Sequence, residues 1–130
     1  MAIVSIGTAG NLVTEAIQAL EKENISVAHY DMRFAKPIDE ELLHEVFTKF
    51  DKVITVEDGC IMGGMGSAVL EFMVDNQYAA HVKRLGIPDK FIEHGEPSEL
   101  YEECGYSPSA IAQATREIMT EVVKHKKKVV

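Results

Sequence analysis

The stretch Ala2-Ile3-Val4-Ser5-Ile6-Gly7-Thr8, with the helically spaced Leu12, Val13, Ala16, Ile17 and Leu20 behind it, decides the fold. Ala2 to Ile6 is a short, largely apolar run ended by Gly7 and Thr8, the pattern of a buried strand. Behind it the apolar residues recur every three or four positions, while Glu15, Gln18, Glu21 and Lys22 fall on the opposite face, which predicts an amphipathic helix. Ile25 to Tyr30 reads as a second strand. Apolar strands alternating with helices through short connections predict right-handed crossovers and a mainly parallel sheet covered on both faces.

The rest of the chain repeats this alternation. Pro37 bars helix upstream, Asp39 is placed to accept from the free amides of a helix N-terminus, and Glu40 and Glu41 complement its dipole. Ile38 can meet Leu43 as a hydrophobic staple, and Leu42, Leu43, Val46, Phe47 and Phe50 form the stripe to be buried. Val53 to Val56 is a third strand, followed by a glycine-rich turn and a helix carrying Val69, Phe72 and Met73. His81 to Leu85 is a fourth strand. Pro88-Asp89 opens an irregular stretch, and Ser98 to Cys104 suits a short helix stopped by Gly105. Ser107 and Pro108 start the last helix, with Ile111, Ala114, Ile118, Met119 and Val122 on its inner face. The expected architecture is a three-layer α/β/α domain over residues 1–123, with a basic tail at 124–130. No internal repeat, low-complexity segment or interdomain linker interrupts it.

Composition narrows the classes of function. The 130 residues suit one domain with its own core, and 46% hydrophobic content with near-zero mean hydropathy is that of an ordinary globular protein. No apolar run approaches the roughly 20 residues of a membrane span, and the N-terminus lacks the basic region of a signal peptide. The expected setting is cytoplasmic. A formal net charge of −8 argues against nucleic acid as the main partner. The basic residues Lys124, His125, Lys126, Lys127 and Lys128 read as a solvated terminus. Cys60 and Cys104 are far apart and outside any CxxC motif, and the histidines lack i, i+4 ligand spacing, so neither a disulfide framework nor a metal site is expected. What Cys60 contacts is not legible at this level.

In sheets of this kind ligands bind at the carboxyl ends of the strands. The polar residues expected there are Thr8, Asp31, Arg33, Glu57, Asp58 and Ser67, a candidate anion-binding or interdomain site. The plainer alternative is an Asp31–Arg33 loop salt bridge, with Glu57 and Asp58 capping a helix or facing a partner. No nucleophile–base pair accompanies them, so no catalytic residue is assigned. The turn Gly63-Gly64-Met65-Gly66-Ser67 lacks the Lys-Ser/Thr pair of a P-loop and the third glycine of the dinucleotide fingerprint. Tight turning and close helix-to-sheet packing account for its glycines. Ile61 and Met62, beside Cys60, together with Phe91, Ile92 and His94, are candidate interface residues. Arg84 is grouped with the segment from Pro88 to Gly95.

Three segments, in order and at matching spacing, resemble one family. Asp31-Met32-Arg33-Phe34-Ala35-Lys36-Pro37-Ile38-Asp39 resembles the D-x-R-F-x-K-P-x-D run of the 1-deoxy-D-xylulose-5-phosphate synthases. Val56-Glu57-Asp58 with Met62-Gly63-Gly64-Met65-Gly66-Ser67-Ala68-Val69 and Glu71 resembles their glycine-rich turn and helix, and Leu85-Gly86-Ile87-Pro88-Asp89-Lys90-Phe91-Ile92-Glu93-His94-Gly95 resembles their late loop. The likeness extends to about Val123. More broadly the chain is similar to the transketolase C-terminal domain, also found in 2-oxo-acid dehydrogenase beta subunits. The Pro-Asp-x-Phe-Ile-x-His-Gly run favours the synthases.

The resemblance implies that this chain is the C-terminal piece of a larger enzyme of isoprenoid biosynthesis, one that condenses pyruvate with glyceraldehyde 3-phosphate and releases carbon dioxide. Thiamine diphosphate and magnesium would bind between the parent's N-terminal and middle domains, leaving no catalytic, cofactor or metal residue here and an isolated chain without activity. The domain would pack on the middle domain and support a homodimer. The family's sheet carries a further antiparallel strand just ahead of the run that opens this chain, so a cut chain or a separately encoded subunit is expected. Two alternatives stay open: a partner-docking domain of a 2-oxo-acid dehydrogenase beta subunit, and a small-anion regulatory module built on Asp31, Arg33 and Glu57.

Overall fold

A computed structural model of the chain describes residues 1–121. The element order is β1 (Ala2–Ile6), α1 (Ala9–Glu21), β2 (Ala28–Asp31), α2 (Glu40–Lys49), β3 (Lys52–Cys60), α3 (Met65–Asp75), β4 (His81–Ile87), α4 (Pro97–Cys104) and α5 (Pro108–Thr120). The strands form one sheet in the order β2-β1-β3-β4, every neighbouring pair parallel. Among the described residues the sheet is therefore wholly parallel.

Strand alternation splits the core into two layers. Ile3, Ile54 and Val56 face Val13, Ala16 and Leu20 of α1 and Ile111, Ala114 and Ile118 of α5. Ala2, Val4 and Val53 face Leu43, Val46 and Phe47 of α2 and Met65, Val69 and Phe72 of α3. From β1 the chain moves one way to β2, then crosses back over β1 to β3 and on to β4. With every crossover right-handed, α1 must lie on one face and α2 and α3 on the other, which gives three layers.

Local chemistry sets the helix starts. The Asp39 carboxylate accepts from the Leu42 amide at 3.0 Å, and Ile38 packs against the core cluster that holds Leu43. Ser107 accepts from the Ala110 amide at 3.2 Å ahead of Pro108, and Gly105 closes α4 in the left-handed region at φ 78°. The far end of α5 is strapped to the sheet. Lys52 Nζ donates to the carbonyls of Met119 at 3.0 Å and Glu121 at 2.8 Å, Lys83 pairs with Glu117 at 2.9 Å, and Arg116 reaches Glu23 at 2.6 Å.

Several boundaries differ from the sequence-based expectation. β2 begins at Ala28 rather than Ile25, because the Ile25 amide turns back to the Leu20 carbonyl and Asn24 sits at φ 60° to close α1. β3 continues past Val56 to Cys60 through an irregular stretch: Val56 pairs with Leu85 and Cys60 with Ile87, leaving two extra residues on β3. Cys60 therefore ends a strand. On α5, Met119 is 42% exposed, and the buried face takes Ala112 and Thr115 along with Ile111, Ala114 and Ile118. Position 119 lies one residue, about 100°, past Ile118 and so falls on the flank. Val122, the boundary at 123 and the basic tail lie outside the described residues.

The Asp39 cap is a local test of this account. Asp39→Ala should lower unfolding free energy by about 1 kcal/mol, measured as a shift in urea midpoint with unchanged slope.

Candidate functional site at the carboxyl end of the sheet

The strand order reverses between β1 and β3, so the crevice that doubly wound sheets use for ligands lies where the β1–α1 and β3–α3 connections diverge. Glu57 dominates this region. It is 4% exposed, and its two carboxylate oxygens accept from the first amides of α3, Met65 N at 2.7 Å and Gly66 N at 2.9 Å. An acidic side chain thus fills the place that a phosphate takes at a helix N-terminus. The capping role weighed for Glu57 is the one the geometry shows.

The glycines make room for this arrangement. A methyl group on Gly64 would collide with the Glu57 carboxylate and lie 2.5 Å from the Cys60 carbonyl. On Gly86 it would lie 2.9 Å from the Gly59 carbonyl and 3.0 Å from Glu57 Cγ, and on Gly66 2.5 Å from Thr55 Oγ1. Gly63 is the position where the turn needs the left-handed region, at φ 73°. Ser67 is taken up in pinning the same turn: its hydroxyl accepts from Gly63 N at 3.0 Å and from Arg84 Nη1 at 2.8 Å, and donates to the Ile61 carbonyl at 3.2 Å. Arg84 belongs to β4 rather than to the later loop, and it also donates to the Ile61 carbonyl at 2.6 Å. Among the described residues, the buried hydroxyl of Thr55 has no hydrogen-bond partner.

The remaining polar candidates stand apart. Asp31, the last residue of β2, and Arg33 just after it are exposed, and they are joined by the Arg33 backbone amide donating to Asp31 Oδ1 at 3.0 Å. Arg33 sits at φ 57°, and the two side chains form no ion pair among the described residues. β1 separates them from Glu57, whose carboxylate is committed to α3. Thr8 is exposed at the start of α1 and makes no cap bond. Asp58 accepts from the Tyr106 hydroxyl at 2.8 Å; Tyr106 is 2% exposed, and burial, then the bond to Asp58, pushes its pKa well above the usual phenol value.

The apolar candidates lie on the same end. Phe91 is fully exposed and Met62 is 63% exposed, while Ile61 and Ile92 are half-buried and His94 is exposed. Phe34, 66% exposed after β2, joins them; the sequence reading passed over it because it sits among charged residues with no periodic pattern. Between the end of β4, the 88–96 segment and α4 lies a cavity of about 420 Å³ that brings Asp58, Ile92 and His94 together with Ile87, Tyr101 and Tyr106. Both cysteines are free: Cys60 is exposed, and burial raises the Cys104 thiol pKa.

A buried pair also escaped the sequence reading. Ser5 Oγ lies 2.7 Å from His29 Nε2, on neighbouring strands, but Ser5 is 1% exposed and its hydroxyl would lie 3.2 Å from a methyl group on Gly10. Covered in this way, the pair ties β2 to β1. Desolvation holds the His29 pKa below the usual histidine value, against the opposing charge of Asp31.

No three of the described His, Cys, Asp and Glu residues come together in a group that could hold a metal ion, and no described helix is long and apolar enough to cross a membrane. The amides of α3 beside the glycine turn are already bonded to Glu57. The start of α3 is therefore not open to a phosphate group.

The family model for the transketolase C-terminal domain matches residues 1–111, and the chain belongs to that family. It is 62% identical over 124 residues to the 1-deoxy-D-xylulose-5-phosphate synthase of Cytophaga hutchinsonii, covering 95% of this chain and 20% of that protein. It is 57% identical over 113 residues to the synthase of Parabacteroides distasonis, covering 87% and 18%. Among solved structures, one described as a split gene transketolase, inactive beta4 tetramer, superposes with a TM-score of 0.83 at 34% identity, over 92% of this chain and 39% of that one. The chain spans about a fifth of the length of the curated relatives it matches.

Two measurements follow from the site. Gly64→Ala should cost about 1–3 kcal/mol, because the new methyl meets a backbone carbonyl, whereas Gly63→Ala, open but at positive φ, should cost about 1 kcal/mol; paired urea melts check the order. For His29, the unfolded chain binds the proton more readily than the folded one. Its contribution is thus full above the ordinary histidine pKa and is lost as pH falls through it. Between about pH 7.5 and about pH 5.5, wild type should lose more stability than His29→Gln.

Proposed function

We propose that this chain is the C-terminal domain of a thiamine-diphosphate-dependent enzyme making 1-deoxy-D-xylulose 5-phosphate, carbon dioxide being lost from pyruvate as it joins glyceraldehyde 3-phosphate. The observation that carries this reading is the 62% identity over nearly the whole chain to a synthase of that name. The cofactor supplies the carbanion chemistry in such an enzyme, and it would be held by other parts of the parent. The role assigned here is docking. Phe34, Met62 and Phe91 stand exposed on connections at one end of the sheet, apolar anchors of the sort that partner surfaces cover. The partners in this reading are the parent's other domains and, across the assembled enzyme, a second copy of the parent in a homodimer.

By itself the chain is inactive in this reading, which the solved split-gene relative, described as inactive, supports. The docking alternative in a 2-oxo-acid dehydrogenase has less behind it, since the relatives compared above are synthases. The anion module on Asp31, Arg33 and Glu57 is disfavoured by the bonds that Glu57 already makes.

The chain, incubated with pyruvate, glyceraldehyde 3-phosphate, thiamine diphosphate and magnesium, should form no 1-deoxy-D-xylulose 5-phosphate by NMR. Adding the separately produced remainder of the parent should restore turnover. The combined Phe34→Ser, Met62→Ser and Phe91→Ser variant should melt like wild type yet restore at least about tenfold less at equal concentration. Sustained turnover by the chain alone would overturn the reading.

A further inference from the structure

The cavity between β4, the 88–96 segment and α4 is chemically lopsided. Its floor is apolar, with Ile87, Ile92, Leu100 and the ring of Tyr101. The charged residues of its lining are Asp58 and Glu93, and Lys and Arg are missing from it. Neither carboxylate forms an ion pair among the described residues. The nearest lysine in sequence, Lys90, is turned to Glu103 at 3.8 Å. Tyr106, buried behind the cavity, donates its hydroxyl to Asp58 Oδ1 at 2.8 Å and so fixes one oxygen of that carboxylate. His94 is the one lining residue that can become cationic.

We propose that this cavity is a binding site for a small organic ammonium ion with an aromatic or branched apolar body, its nitrogen paired with Asp58 and its body on Ile92, Leu100 and Tyr101. The volume of about 420 Å³ falls within the range of small-molecule sites. Asp58 and Glu93 are both exposed, so sign is selected by charge rather than by desolvation: an anion would meet two carboxylates, whereas an ammonium pairs with them while its body covers the apolar lining. Aromatic rings beside the ammonium add attraction. The cavity adjoins the docking surface proposed above but the inference does not rest on that role, and the test uses the chain alone, so either can fail without the other.

Three probes share one ring and differ in charge: tyramine, 4-methylphenol and 4-hydroxyphenylacetate. Titrated into the labelled chain and followed by amide NMR, tyramine should bind at about millimolar Kd, at least about tenfold tighter than 4-methylphenol, with no binding by the carboxylate. Shifts should centre on Asp58, Ile92 and Tyr101. Asp58→Asn keeps the acceptor for Tyr106 and removes the charge, so it should fold normally and erase the preference for tyramine. No tyramine binding at about 10 mM overturns the proposal, as does equal binding of 4-methylphenol or a preference that survives in Asp58→Asn and in Asp58→Asn with Glu93→Gln.

Discussion

The carboxylate of Glu57 lies buried where the irregular stretch of β3 begins and is held by two backbone amides rather than by a cation. A buried charge is tolerable only when fully hydrogen-bonded, and the start of a helix is one of the few places where a protein offers unpaired amides and a favourable dipole together. That bond fixes where α3 begins relative to the sheet. The rest of the carboxyl end inherits the placement: the turn over the carboxylate, the Arg84 and Ser67 bonds that pin the Ile61 carbonyl, and the exposure of the neighbouring Met62.

The two ends of the sheet are built differently. At the amino end, Lys52, Lys83 and Arg116 tie the C-terminal part of α5 to neighbouring strands and to the turn after α1. The carboxyl end carries exposed Phe34, Met62 and Phe91 on its connections, and the turn that holds Met62 is pinned at its base by Ser67 and Arg84. Anchors held on rigid bases lose little conformational freedom when covered, which suits a surface meant to meet another folded surface. That contrast supports a docking role more directly than any single exposed side chain does.

What the sequence made legible was sequential chemistry. Asp39 and Leu42, Ser107 and Ala110, and the alternation of apolar strands and helical stripes all act within a few residues, and they gave the fold class and the helix starts. What it left hidden was chemistry between distant positions. Ser5 and His29 are 24 residues apart and Arg84 and Ser67 are 17 apart; the register of the sheet brings the first pair together, and the packing of α3 on β4 the second. The extension of β3 to Cys60 was hidden too, because an irregular stretch breaks the alternation that marks a strand. The candidate site was legible as a set of residues but not as a geometry: its six polar members divide into a helix cap, a pinned turn, a backbone-bonded pair, a tyrosine partner and a lone threonine.

Because the side chain at 57 fills the space that hydrogen atoms leave free at 64 and 86, these positions behave as one lock with separate parts. A larger residue at either glycine meets the Glu57 side chain and also a backbone carbonyl, that of Cys60 or of Gly59, and a shorter one at 57 strands the amides of α3. Each single step leads downhill in stability, so an evolving chain is held to the trio. Anyone transplanting this turn into another parallel sheet would need to carry all three residues together, along with the strand that bears Gly86.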